Sequence, residues 1–153
     1  MKKPAVMSAT SVPILVTATV GKSNEFRVPI TLFGTKSGKI ITTTTIINSG
    51  AGGSFINWMF IRKHHLTTQK LSKPFHIRTV DGSNSKDGRV TDYCILAVQI
   101  DNRCMIGKFN VTQLSEKDDM LLGVPWLKAT APDINWTNGT IAMPQTKWSR
   151  FIV

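Results

Sequence analysis

Cysteine is scarce: Cys94 and Cys104 are the only two in 153 residues. That is too few for a disulfide framework, so reduced thiols in a cytosolic setting are expected. Long apolar runs are missing as well, none approaching the roughly 20 residues a membrane-spanning helix requires. A soluble globular chain without a membrane partner follows. Acidic residues number nine against 19 Lys plus Arg, for a formal charge of +10. The excess runs from Lys2 to Arg150 rather than gathering in one block, so it says nothing about fold but attracts polyanions without sequence preference. A weak, non-specific RNA contact is therefore expected. The adjacent His64 and His65, taken with either cysteine, match no zinc spacing, and neither a metal nor a cofactor is expected. Met1-Lys2-Lys3 has the basic character of a signal-peptide start, but Ser8, Thr10, Ser11, Thr17 and Thr19 break up the apolar stretch behind it, so no leader is expected.

What the chain does have is a series of short β-type runs between turn residues, with little sustained helical period. An all-β domain follows, with one or two short helices. Its length suits one domain, read as residues 14–142, with an N-terminal extension at 1–13 and a tail or interface strand at 143–153. Ile14 to Val20 and Arg27 to Phe33 read as a hairpin. Ile40 to Ile47 is almost wholly Ile and Thr, whose branched side chains suit a pleated strand, and it delivers Asn48 at its end. Ser54 is placed to cap a helix from Phe55 to about His64, with Arg62, Lys63, His64 and His65 in its last turn, where positive charge complements the helix dipole. Pro74 to Val80 and Val90 to Ile100 read as strands around a polar loop bracketed by Asp81-Gly82 and Asp87-Gly88. Arg103 to Val111 is another strand. Met120 to Gly123 is a brief buried run, and Val124 to Lys128 begins a helix with Pro125 in its first turn. Asn138-Gly139 signals a two-residue hairpin between Ile134-Asn135-Trp136 and Thr140-Ile141-Ala142. No internal repeat is visible.

The ordered set Ile46-Ile47-Asn48-Ser49-Gly50-Ala51, Phe55-Ile56, His64-His65-Leu66, Val80-Asp81-Gly82, Leu121-Leu122-Gly123-Val124-Pro125-Trp126-Leu127 and Asp133-Ile134-Asn135-Trp136 carries a resemblance. The chain resembles the retropepsin-like aspartic protease domain of gypsy-like LTR retrotransposons, especially fungal ones, from about Ile14 to Ile141. The resemblance implies a closed β-barrel and a homodimer in which each chain contributes one Asp-Ser/Thr-Gly turn to a shared cleft. The turn occurs once here, which agrees with two chains per cleft. It further implies that Ser49 orients the turn through hydrogen bonds across the dimer and that Gly50 permits its close approach. Ala51 and the flap residues Thr79, Val80, Asp81 and Gly82 would contact an extended peptide cut from a retrotransposon polyprotein, in the cytoplasm or within virus-like particles.

At the decisive position the chain departs from that family. Aspartic proteolysis needs two carboxylates sharing one proton, one taking a proton from water and the other donating to the peptide carbonyl. Asn48 keeps the shape and hydrogen-bonding capacity of the acid but cannot ionise. The other aspartates lack the Ser/Thr-Gly that must follow, so the chain is expected to bind peptide without cleaving it. An inactivating change and the decay of an element copy account for Asn48 equally well. Two rival readings are a domesticated non-catalytic dimerisation or peptide-binding module, and a basic β-barrel that binds nucleic acid, with Trp58, Trp126, Trp136 and Trp148 as stacking platforms. Core or interface packing is the plainer expectation for the tryptophans, and a plain turn for Asp81.

Overall fold

Alternation of apolar and polar side chains builds the strands, and the strands close on themselves. The computed structural model describes residues 14–17, 19–20, 26–35, 38–78, 84–100 and 103–143. In β3 (Phe26–Gly34), Phe26, Val28, Ile30 and Leu32 point inward and are buried, as a period of two requires. In β7 (Asn84–Ile100), Cys94, Leu96, Val98 and Ile100 do the same. Strands β4 (Ile40–Ile47), β5 (Phe55–Asn57), β8 (Arg103–Thr112) and β9 (Met120–Leu122) complete the set. The pairing runs β3, β4, β9, β5, β8, β7 and back to β3, a closed six-stranded barrel. Closure removes the open edges that a sheet of these strands would otherwise expose.

Two of the pairings in that ring are parallel, β4 with β9 and β5 with β8. At the β4–β9 contact the alternation of β4 breaks down. Thr45, Ile46 and Ile47 are all buried, because this end of the strand lies between two neighbours and is covered on both faces. Outside the ring, β6 (Gln69–Arg78) pairs with β7, while β2 (Thr19–Val20) pairs with β3. A separate three-stranded sheet places β11 (Thr140–Met143) between β1 (Ile14–Thr17) and β10 (Asp133–Asn135). Two short helices lie among the described residues, α1 (Trp58–His64) and α2 (Val124–Thr130). None of the described helices is long and apolar enough to cross a membrane.

Several elements differ from the sequence expectation. The expected hairpin of Ile14 to Val20 with Arg27 to Phe33 is divided: Thr19 and Val20 pair with Arg27 and Phe26, but Ile14–Thr17 pairs with β11. Ser54 caps no helix. Phe55–Asn57 is a strand held between β8 and β9, and the helix begins one turn later with Asn57 as its cap, Oδ1 accepting the Met59 N–H at 3.2 Å. The backbone partners that β8 and β9 offer outweigh the local helical spacing of Phe55 and Ile56. Asp87-Gly88 lies within β7, not in a loop. Trp136 leaves its strand, because the connection between β10 and β11 has four residues instead of two. Asn135 Oδ1 accepts the N–H groups of Thr137 and Asn138 at 3.0 and 3.2 Å, bending the chain before Gly139 takes φ of 72°. The Trp136 ring then packs on Phe26, 4.4 Å between centroids.

Candidate functional site

Strand β4 ends at Ile47, and the Asn48 N–H donates to the Leu122 carbonyl of β9 at 3.0 Å, so residue 48 is fixed where two barrel strands meet. From there the chain turns back on itself. The Ala51 N–H reaches the Asn48 carbonyl at 3.2 Å, and the Gly50 N–H reaches Asn48 Oδ1 at 2.8 Å. One lone-pair region of the amide oxygen is thereby committed to the turn, as an Asx side chain often is. Asn48 is half-buried, while Ser49 and Gly50 are exposed.

The turn is clamped from behind by the junction of β9 and α2. Val124 N–H donates to the Ala51 carbonyl at 2.8 Å, and Gly123 N–H donates to Ser54 Oγ at 3.2 Å. The role of Ser54 is therefore to join the turn to β9. Its carbonyl also accepts the Asn110 N–H of β8 at 3.0 Å. Gly123 makes this approach possible: a Cβ there would stand 2.2 Å from the Gly53 carbonyl oxygen and 2.6 Å from that of Ala51.

In front of the turn lies a groove of about 720 Å³. Asn48, Gly50 and Ala51 form one side, Phe55 and Leu121 come from the adjoining strands, and Phe75 and Ile77 come from β6. Asn110, Thr112 and Gln113 add polar groups. Among the described lining residues there is no carboxylate, and His76 is the one imidazole. Phe75 is notable for its exposure, 39%, large for a phenylalanine at the mouth of a cavity. No group of three or more His, Cys, Asp or Glu side chains suited to a metal is found among the described residues.

The structure therefore brings together Asn48, Gly50 and Ala51 at the groove, with Ser49 in the same exposed turn. Of the expected flap, Thr79 to Arg89, the residues Thr79, Val80, Asp81 and Gly82 expected to meet the peptide, with residue 83, lie outside the described residues, and residues 84–89 form the first part of β7. Phe55, Phe75, Ile77 and Asn110 were not anticipated as lining residues. Strand alternation alone places Phe75 and Ile77 on one face, but which face meets a cavity depends on the neighbours of β6.

A crystal structure of a retropepsin-like aspartic protease from Rickettsia conorii superimposes with a TM-score of 0.52 at 16% sequence identity, covering 87% of this chain and 91% of that one. At that identity the likeness establishes the fold, and it agrees with the closed barrel described above. Residues 44–150, well over half of the chain, match the family model described as the PEG10/RTL1 protease domain. The match takes in the end of β4, the Asn48 turn, β5, β9 and the Gly123 junction, and the chain belongs to the PEG10/RTL1 protease domain family, a retropepsin-like family.

Proposed function

We propose that this chain is a retropepsin-like domain, acting as a homodimer, whose groove receives an extended segment of a polyprotein and leaves it uncut. The observation that carries this reading is the placement of Asn48: it stands at the lip of the groove, in a turn held by its own side chain, where the family's chemistry requires a carboxylate. An amide cannot take a proton from water, and two amides facing each other across a dimer would hold no acid and no base. Ser49 orients the turn, Gly50 permits its close approach, and Ala51 with the flap residues meets the peptide backbone. Substrate in this position binds as an added strand, through main-chain hydrogen bonds with apolar walls for its side chains.

Incubation of the purified chain with a peptide library at mildly acidic pH is expected to give no cleavage. Asn48→Asp is expected to raise turnover by about 10⁴-fold or more, since it restores both the general base and the general acid. Its pH profile should be bell-shaped, because paired carboxylates titrate in two steps, and a statine-type peptide mimic should inhibit it. Sedimentation should find two chains per particle. A folded, dimeric Asn48→Asp protein that cleaves nothing would overturn the assignment of residue 48.

A further inference from the structure

Away from the groove, large apolar and cationic side chains share the outer face of α1. The inner face of this helix buries Phe60 and Ile61, with the His64 ring resting on Phe60 at 4.4 Å. Residues 58, 59, 62 and 63 fall on the opposite side of a 3.6-residue period. Trp58 is 37% and Met59 42% exposed, and Arg62 and Lys63 are exposed beside them. The spacing of four residues brings the Arg62 guanidinium over the Trp58 ring, 5.1 Å from its centroid. The helix has no acid in its first turn and three basic residues in its last. Lys39 adds a further ammonium at its C-terminal end, donating to the His64 carbonyl. The nearby Asp119 is engaged by the Thr43 hydroxyl.

Trp58 and Met59 are surplus to the core, which Phe60 and Ile61 already complete from this helix. A tryptophan left at the surface beside a guanidinium, with further cations towards the C-terminal end of the same helix, is an arrangement that accepts a stacked base and its neighbouring phosphates. We propose that the outer face of α1 binds single-stranded nucleic acid, with Trp58 stacking on a base and Arg62 and Lys63 meeting phosphates. A second copy of the chain is a poor occupant of this face, because two such faces brought together would oppose Arg62 and Lys63 with cations of the same sign. A bilayer needs more apolar area than two side chains on a seven-residue helix supply.

The test uses the full chain with fluorescein-labelled U12 and dT12, read by anisotropy across a sodium chloride series, beside phosphatidylserine vesicles and unlabelled heparin. Trp58→Ala should weaken U12 binding roughly 10-fold with an unchanged salt slope, and Trp58→Phe should retain most of the affinity. The Arg62→Ala/Lys63→Ala double variant should reduce the log–log salt slope by about 1.4, at about 0.7 per phosphate contact on a single strand. All three changes lie on an exposed face, so thermal melts should coincide with that of the parent chain. Binding of both U12 and dT12 supports contact through base faces and phosphates, which the two strands share. The proposal is overturned if U12 fails to bind, or if these variants bind it as the parent does. It is equally overturned if Trp58→Ala weakens binding of heparin, which has no bases to stack, as much as it weakens binding of U12, or if vesicles bind where U12 does not. None of these outcomes touches cleavage by Asn48→Asp, which depends on the groove.

Discussion

Gly123 has two backbone oxygens where a methyl group would go, 2.2 and 2.6 Å from the ideal Cβ position. Neither can swing aside as a side chain could. Gly123→Ala should therefore push the Asn48 turn off the β9–α2 junction and break the Val124–Ala51 and Gly123–Ser54 hydrogen bonds. A loss of about 3 kcal/mol is expected, read as a lower urea midpoint. Gly52, next to Ala51, has open space around its Cβ position, and Gly52→Ala should stay within about 0.5 kcal/mol of the parent. Cys94 makes a second prediction. Burial pushes its thiol up to about 11 from an ordinary 9.0. In the unfolded chain the proton leaves first, so the stability this thiol supports is complete below pH 9 and declines as pH rises towards 11. Urea midpoints taken between pH 8 and 10.5 should fall more steeply for the parent than for Cys94→Val. At neutral pH an alkylating reagent should modify the exposed Cys104 first and Cys94 only on unfolding, as mass spectrometry of native and denatured samples would show.

At the level of elements, the joint between β5 and α1 rests on Asn57. This side chain is 2% exposed, caps α1 through Oδ1, and donates from Nδ2 to the carbonyls of Ser115 and Asp118 at 3.2 and 3.0 Å. Asn57→Ala should cost about 2–3 kcal/mol, the sum of a lost cap and carbonyls left unpaired. Asn57→Asp should restore the cap but not the stability, since a carboxylate cannot donate to those carbonyls. Thermal melts of the two variants distinguish cap from loop. The same joint shows where sequence reading succeeds and where it stops. The run of Ile and Thr in β4 and the proline opening α2 are local signals, and both elements form where those residues stand. Phe55 and Ile56 suit a helix and a strand equally, and their state is set by β8 and β9, which lie far along the chain. The site divides in the same way. The Asn48 turn and Gly123 were legible as an ordered pair of motifs, whereas Phe55, Phe75, Ile77 and Asn110 become neighbours only once the barrel has closed.

For the molecule as a whole, barrel closure depends on β9. Its three residues pair with β4 on one side and two of them, Met120 and Leu121, with β5 on the other, and Met120 and Leu122 are fully buried. A chain ending at Asp119 would lack this strip, the Leu122 carbonyl that holds Asn48 and all of α2. Such a truncation should show no cooperative urea transition and should bind an apolar dye such as ANS, because β4 and β5 would face each other without a bridge.

The order of synthesis gives this feature a cost in time. During translation, β4 and β5 leave the ribosome well before the short strip that must slot between them, and their backbone groups there stay unmatched until it arrives. Pairings between residues so distant along the chain form slowly. The newborn chain thus passes through an interval in which a neighbouring nascent copy could supply the missing strip, and sparse synthesis or chaperone cover during that interval would favour correctly shut barrels over entangled ones.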